Sequence, residues 1–226
     1  MRFRGLFIGG AIVLALFATP ANSQTSQVGK TWQVGDRAGE LEWLAQQIED
    51  KDWRVSDQGY IQQIENRIAS AAGVKPNEVR MTNGTESYGF LIPGGILYLS
   101  SGLLKRISSE PELAGLLAHE TAHGRQHQCA LAKGYLPLPL LGSRDAERQG
   151  TETAIRYMKA AGYDPLALLD VVTQLDSMLA MSAHDLARLR RSAEAQSAPP
   201  PTYAMDDRAF ARFHEGLVKE WNIWKP

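Results

Sequence analysis

The sequence predicts an α+β fold, with a small sheet packed on one central helix and a chain that is otherwise mainly helical. Short apolar runs bounded by turn signals cluster between residues 79 and 99, whereas apolar residues at three- and four-residue steps dominate elsewhere. The strands come as one group instead of alternating with helices, which argues against a parallel α/β sheet. At 226 residues, 44% hydrophobic and 22% charged, the composition is that of an ordinary globular domain with short appendages. The formal net charge of −1 comes without a basic patch, so no nucleic-acid partner is expected.

Met1–Ser23 reads as a signal peptide. Arg2 and Arg4 precede the apolar run Leu6–Ala18, and Ala21-Asn22-Ser23 offers small residues for cleavage. The run is short for a bilayer span, so the expected product is exported and soluble, periplasmic if the source has an outer membrane. Residues 24–39 are polar and glycine-bearing, a flexible mature N-terminus. A metal-bearing domain is expected over 40–197, followed by a proline linker and C-terminal helix over 198–226. Cys129 is the only cysteine, which rules out an internal disulfide, and it reads as a buried free thiol.

Within the domain, Leu41, Leu44 and Ile48 are spaced for a helix. Asp57 can cap a second one that carries Ile61, Ile64 and Ile68 and ends at Gly73. Val79–Met81 and Ser87–Ile92 read as a strand pair separated by the Asn83-Gly84 turn signal. Pro93-Gly94-Gly95 breaks the second, and Ile96–Leu99 makes a third. A short helix is expected over Leu103–Ile107.

Ser109 then opens the stretch around which the chain is organised. Ser109 can cap the free N–H groups, Glu112 can reach back, and Pro111 suits a first turn. On this helix lies His119-Glu120-Thr121-Ala122-His123. Residues four apart share a helical face, so two imidazoles can hold one metal ion. The adjoining carboxylate is placed to activate water, as in the zinc-protease pattern H-E-x-x-H. His127 continues the stripe, but it stands about 12 Å along the axis from His119 and suits a supporting role better than ligation.

Pro137 and Pro139 break the following connector, and a new helix is expected from Ser143 to Ala161, closed by Gly162. Glu147 is its first internal carboxylate. An antiparallel return of this helix would bring Glu147 within reach of the histidine pair. Two His, one Glu and a water make a catalytic zinc site with one open position. Asp164 and Pro165 start another helix, with Leu168, Leu169, Val172, Leu175 and Leu179 on its buried face. It is expected to end near Arg191, with a break at Ser182. The terminal helix carries Phe210, Phe213, Leu217, Trp221 and Trp224 at helical spacing, a stripe suited to docking on the core, with membrane contact as the minor alternative.

Taken together, these motifs resemble the HtpX-like and CAAX-prenyl-protease-like zinc metallopeptidases, especially exported bacterial members. The resemblance covers roughly 79–165. It runs through Pro93-Gly94-Gly95, Ser101-Gly102-Leu103-Leu104, Glu112-Leu113-Ala114, the His119–His123 motif with His127, Ser143-Arg144 with Glu147, and Ala161-Gly162-Tyr163-Asp164-Pro165. It implies a zincin-like metalloprotease fold, one Zn2+ per chain on His119, His123 and Glu147, and Glu120 as the catalytic carboxylate.

Several positions depart from the family pattern. Its E-x-x-A-D becomes Glu147-Arg148-Gln149-Gly150-Thr151, so Thr151 stands where an aspartate would orient a metal-bound histidine. The His123–Glu147 connector is short, and the family's N-A-F reads Tyr88-Gly89-Phe90. Its T-H-P followed by arginine reads Ala198-Pro199 with Arg208. The function expected is a zinc-dependent endopeptidase acting on polypeptides of the cell envelope, in protein quality control. The alternative is a non-catalytic binding or chaperone-like protein that keeps the fold.

Overall fold

In the computed structural model, α1 spans Gln58–Ala72 and buries Ile61, Ile64 and Ile68 along one face. It stops at Gly73, whose φ of 65° is costly for residues with a β-carbon. The Val74 N–H reaches back to Ala69 O at 2.9 Å, satisfying a carbonyl at the helix end. Residues 58–82, 89–92, 95–132, 144–174, 182–196 and 207–223 are described by the structure. The expected leader, residues 24–39, the helix expected at Glu40–Asp50, Asp57, the Asn83-Gly84 turn, Pro93-Gly94, the connector, Leu175, Leu179, the expected proline linker and Trp224 lie outside them, as do the side chains of His127, Cys129 and Trp221.

The sheet comprises β1 (Glu78–Thr82), β2 (Gly89–Ile92) and β3 (Ile96–Ser100) in the order β1-β3-β2. β2 and β3 form the antiparallel pair, with Gly89 opposite Leu99 and Ile92 opposite Ile96. β1 joins β3 in parallel, Glu78 opposite Ile96 and Thr82 opposite Ser100. The expected pairing of the first two strands is therefore corrected. Only a short turn through Gly95 (φ 89°) separates β2 from β3, so those two close the hairpin and β3 takes the centre. Central β3 is accordingly well buried, with Leu97, Tyr98 and Leu99 all inaccessible.

One sheet edge is covered by a side chain. Gln62 accepts from the Val79 N–H at 3.0 Å and donates to the Asn77 carbonyl at 2.8 Å, the two bonds an added strand would make beside β1. At the other edge, β2 lies against the central helix.

The short helix after the sheet, α2 (Ser101–Leu104), begins two residues earlier than expected because Ser100 Oγ accepts from the Leu103 N–H. The central helix α3 spans Glu110–Ala132. Ser109 Oγ accepts from the Glu112 N–H, and the Glu112 carboxylate reaches back to the Ser108 N–H at 2.8 Å. This is the expected reciprocal cap, displaced by one residue on the return side. α3 packs against α1, β2, α4 (Arg144–Ala160) and α5 (Leu166–Gln174), which places it at the centre of these elements.

At the end of α4, Gly162 (φ 84°) and the Tyr163 N–H to Met158 O bond of 2.9 Å repeat the ending of α1. Asp164 Oδ1 accepts from the Leu166 N–H to start α5. α6 (Ala183–Gln196) begins afresh at Ser182, which caps Asp185, so the break occurs as expected and the helix runs on past Arg191. α7 (Asp207–Ile223) buries Phe210, Phe213 and Leu217, with Phe213 against Tyr60 at 5.4 Å between centroids. For Phe210, Phe213 and Leu217, core docking is what the spacing predicted. Among the described residues, no helix is long and apolar enough to cross a membrane.

Candidate metal centre

Three donor atoms from two helices converge. His119 Nε2 and His123 Nε2, one turn apart on α3, lie 3.0 Å from each other. Glu147, in the first turn of α4, brings Oε2 to 3.3 Å from each of them. Antiparallel packing of α3 and α4 thus does what the spacing predicted. The rings meet edge to face at 4.5 Å and 77°, which aims both Nε2 atoms at the same point.

The arrangement fits a metal ion on its own geometry. Tetrahedral ligands about 2.0–2.1 Å from a zinc ion stand about 3.3–3.4 Å apart, close to the separations seen here. Glu147 Oε2 is buried with no hydrogen-bond partner. A buried carboxylate oxygen facing two imidazole nitrogens is strongly unfavourable unless a cation or protons fill the space between them. His119 and Glu147 are buried, while the side chain of His123 keeps 12% exposure, leaving a path to solvent. Burial alone would raise the Glu147 carboxyl, but the nearby His119 and His123 outweigh that and hold it well below the ordinary carboxylate range.

Glu120 follows His119 and faces β2. A β-carbon at Gly89 would stand 3.6 Å from Glu120 Oε1, so the start of β2 runs past this carboxylate. Burial pushes the Glu120 carboxyl up, opposed by the two histidines and reinforced by Glu147. A carboxylate that binds a proton more readily than usual is suited to proton transfer.

Thr151 is fully buried one turn beyond Glu147, with Oγ1 3.3 Å from His119 Nδ1. Its position matches the expectation drawn from the missing aspartate. Arg208 is exposed in the first turn of α7, and among the described residues it makes no bond to His119, Glu120, His123 or Glu147. His127 lies on α3, two turns beyond His119.

Behind the motif stands a network that the sequence reading did not find. Glu65 of α1 accepts from the Asn77 N–H at 3.0 Å, from Asn77 Nδ2 at 2.7 Å and from Thr121 Oγ1 at 3.0–3.1 Å. Thr121 lies between the two histidines in sequence, so α1 and the start of β1 grip the motif from the side opposite Glu147. The signal was present in the sequence. Glu65 falls on the buried stripe of α1, four residues after Ile61 and three before Ile68.

A small sheet, a His-Glu-x-x-His helix beside its edge and a second helix presenting a glutamate define a zincin-like metalloprotease fold. Residues 55–134 match the model of peptidase family M48, so this stretch is similar to the metallopeptidases of that family. The matched stretch contains His119, Glu120 and His123 but ends before Glu147, whose place at the site is given by the packing of α4. No match is found among curated proteins.

Proposed function

We propose that the protein is a zinc-dependent endopeptidase with His119, His123 and Glu147 as metal ligands and Glu120 as catalytic carboxylate. The observation that carries this reading is the convergence of the three donor atoms within 4.8 Å of one another beside Glu120. A zinc ion there supplies Lewis acidity, polarising a scissile carbonyl and making water acidic near pH 7. Glu120 accepts a proton from the attacking water and returns it to the departing amine, the work its raised proton affinity favours. His119, His123 and Glu147 hold the reacting centre in register with that carboxylate.

An extended polypeptide would lie along β2 and pair with its main chain. Two features support this path. β2 is an edge strand next to Glu120, and the opposite edge is capped by Gln62. The leader-like N-terminus supports export, and with it unfolded envelope proteins as substrates and a part in their quality control. Membrane association is not required.

The test is metal analysis of the purified mature chain combined with Glu120→Gln. The expected result is about one zinc per chain in both proteins, with hydrolysis of an unfolded protein substrate reduced by about 10²–10⁴-fold in the variant. Equal turnover by both would remove Glu120 from the mechanism. Inactivity of both with retained polypeptide binding would favour the non-catalytic alternative.

A further inference from the structure

The two residues that follow Gln149 are shaped around the imidazoles. A β-carbon built on Gly150 would lie 2.8 Å from both Cε1 and Nε2 of His123 and 3.3 Å from its Cδ2. Carbon atoms do not approach that closely, and the ring cannot swing aside without leaving His119 Nε2 and Glu147 Oε2. Glycine at 150 is therefore what lets α4 come near enough to present Glu147.

One residue on, the Thr151 hydroxyl donates to the Glu147 carbonyl at 2.9 Å. With its proton committed there, Oγ1 has only lone pairs to offer the ring nitrogen 3.3 Å away, so that nitrogen must be His119 Nδ1–H. The tautomer leaves the Nε2 lone pair directed at His123 and Glu147. Among the described residues, the two acids nearest to Thr151 in sequence, Glu147 apart, are engaged elsewhere. Glu152 pairs with Arg148 and Arg188, and Asp145 is exposed and pairs with Arg148.

Resting on the metal-site reading above, we propose that Gly150 and Thr151 act as an uncharged pair of positioning residues for the two histidine ligands. Gly150 makes room for the His123 ring, and Thr151 fixes the His119 tautomer while tying it to the backbone of Glu147. The pair thereby does, without a charge, the orienting work that the family resemblance assigns to an aspartate at this position. The motif holds by shape and one shared hydroxyl.

The experiment measures zinc affinity by chelator competition, and the visible spectrum of the cobalt(II)-substituted protein, for wild type, Thr151→Val, Thr151→Ser and Gly150→Ala. Thr151→Val keeps the shape and loses the acceptor, so zinc should bind about 10–100-fold more weakly. Thr151→Ser restores the oxygen and should bind close to wild type with an unchanged cobalt spectrum. Gly150→Ala should weaken binding and alter the spectrum, because the His123 ring must move. Circular dichroism of the metal-free proteins checks the fold, and the Thr151 series decides the matter if Gly150→Ala folds poorly. Wild-type affinity and spectra in both Thr151→Val and Gly150→Ala would overturn the inference while leaving the metal site intact. A loss in Thr151→Ser as large as in Thr151→Val would also overturn it for Thr151. Wild-type protein that takes up no metal would sink this inference and the metal-site reading together.

Discussion

The buried carboxylate of Glu65 receives the Thr121 hydroxyl at 3.0 and 3.1 Å, from inside the turn that carries both histidines. α1 thus holds the metal helix by a polar contact on the face opposite the ligands. Burial raises the Glu65 carboxyl, and the bonds from the Asn77 backbone, Thr121 and the Asn77 amide only partly offset it. The sign follows from linkage. Where the folded chain keeps a proton that the unfolded chain has lost, stability falls as pH rises. That window opens near the unfolded value of about 4.3 and closes at the higher folded value. Relative to Glu65→Gln, wild type should therefore lose stability as pH rises from about 4, read from urea unfolding of metal-free protein. A difference between the two proteins that stays constant with pH would refute the assignment.

Metal removal should be felt by the whole fold. The ion would join α3 to α4, and a ligand present at a thousandfold excess over Kd stabilises by about 4 kcal/mol. In a chain of this size each kcal/mol moves Tm by about 2–4 °C. Chelation should lower Tm by roughly 10 °C in wild type, and by far less in Glu147→Ala. Equal chelator effects in both proteins would place the stabilising ion elsewhere.

The sequence was most legible where chemistry and local geometry coincide. His119 and His123 share a face because they are four residues apart, and Gly73 and Gly162 end helices because a positive φ is required there. The nearness of Glu147 to the histidine pair was legible because its offset from a breaking connector fits an antiparallel return. The strand order was misread, since turn signals mark where a chain bends but not which neighbours pair. Only the core decides that β3 lies between β1 and β2. Glu65 was missed for another reason. A glutamate on a buried stripe looks like an exception to the pattern until the donors that satisfy it, from Asn77 and Thr121, are brought together by folding.

The start of α3 rests on a second buried acid. Glu110 accepts from the Tyr60 hydroxyl at 2.7 Å and from the Tyr163 hydroxyl at 3.0 Å. Tyr163 belongs to the Ala161–Pro165 motif, so the end of α4 is fastened to the beginning of the metal helix. Burial and then the Glu110 charge push the Tyr163 hydroxyl up, keeping it a donor throughout the physiological range. Hydrogen bonds to a charged group contribute about 1.5–3 kcal/mol, so Tyr163→Phe should destabilise by about that much. Tyr60→Phe should couple with it, because both act on one carboxylate. Strict additivity in urea unfolding would show that the two hydroxyls act independently.

Two helical glycines allow one substitution to be read with opposite signs. Gly216 lies inside α7, and a β-carbon there meets nothing within 4 Å. Gly216→Ala gains helix propensity without a clash and should stabilise by up to about 1 kcal/mol. Gly115 lies inside α3, where a β-carbon would come within 2.9 Å of Leu168 Cα, 3.1 Å of its Cβ and 3.3 Å of its backbone nitrogen. Those atoms belong to the backbone and first carbon of α5, not to a side-chain tip that can rotate away. Forcing helices apart at such a contact costs about 1–3 kcal/mol, which offsets or exceeds the same propensity gain. Gly115→Ala should therefore lower Tm while Gly216→Ala raises it. Because Gly115 lies one turn before His119, the displaced α3 should also bind zinc more weakly, whereas Gly216→Ala leaves affinity unchanged. A stabilised Gly115→Ala protein would show that α3 and α5 do not pack at this distance.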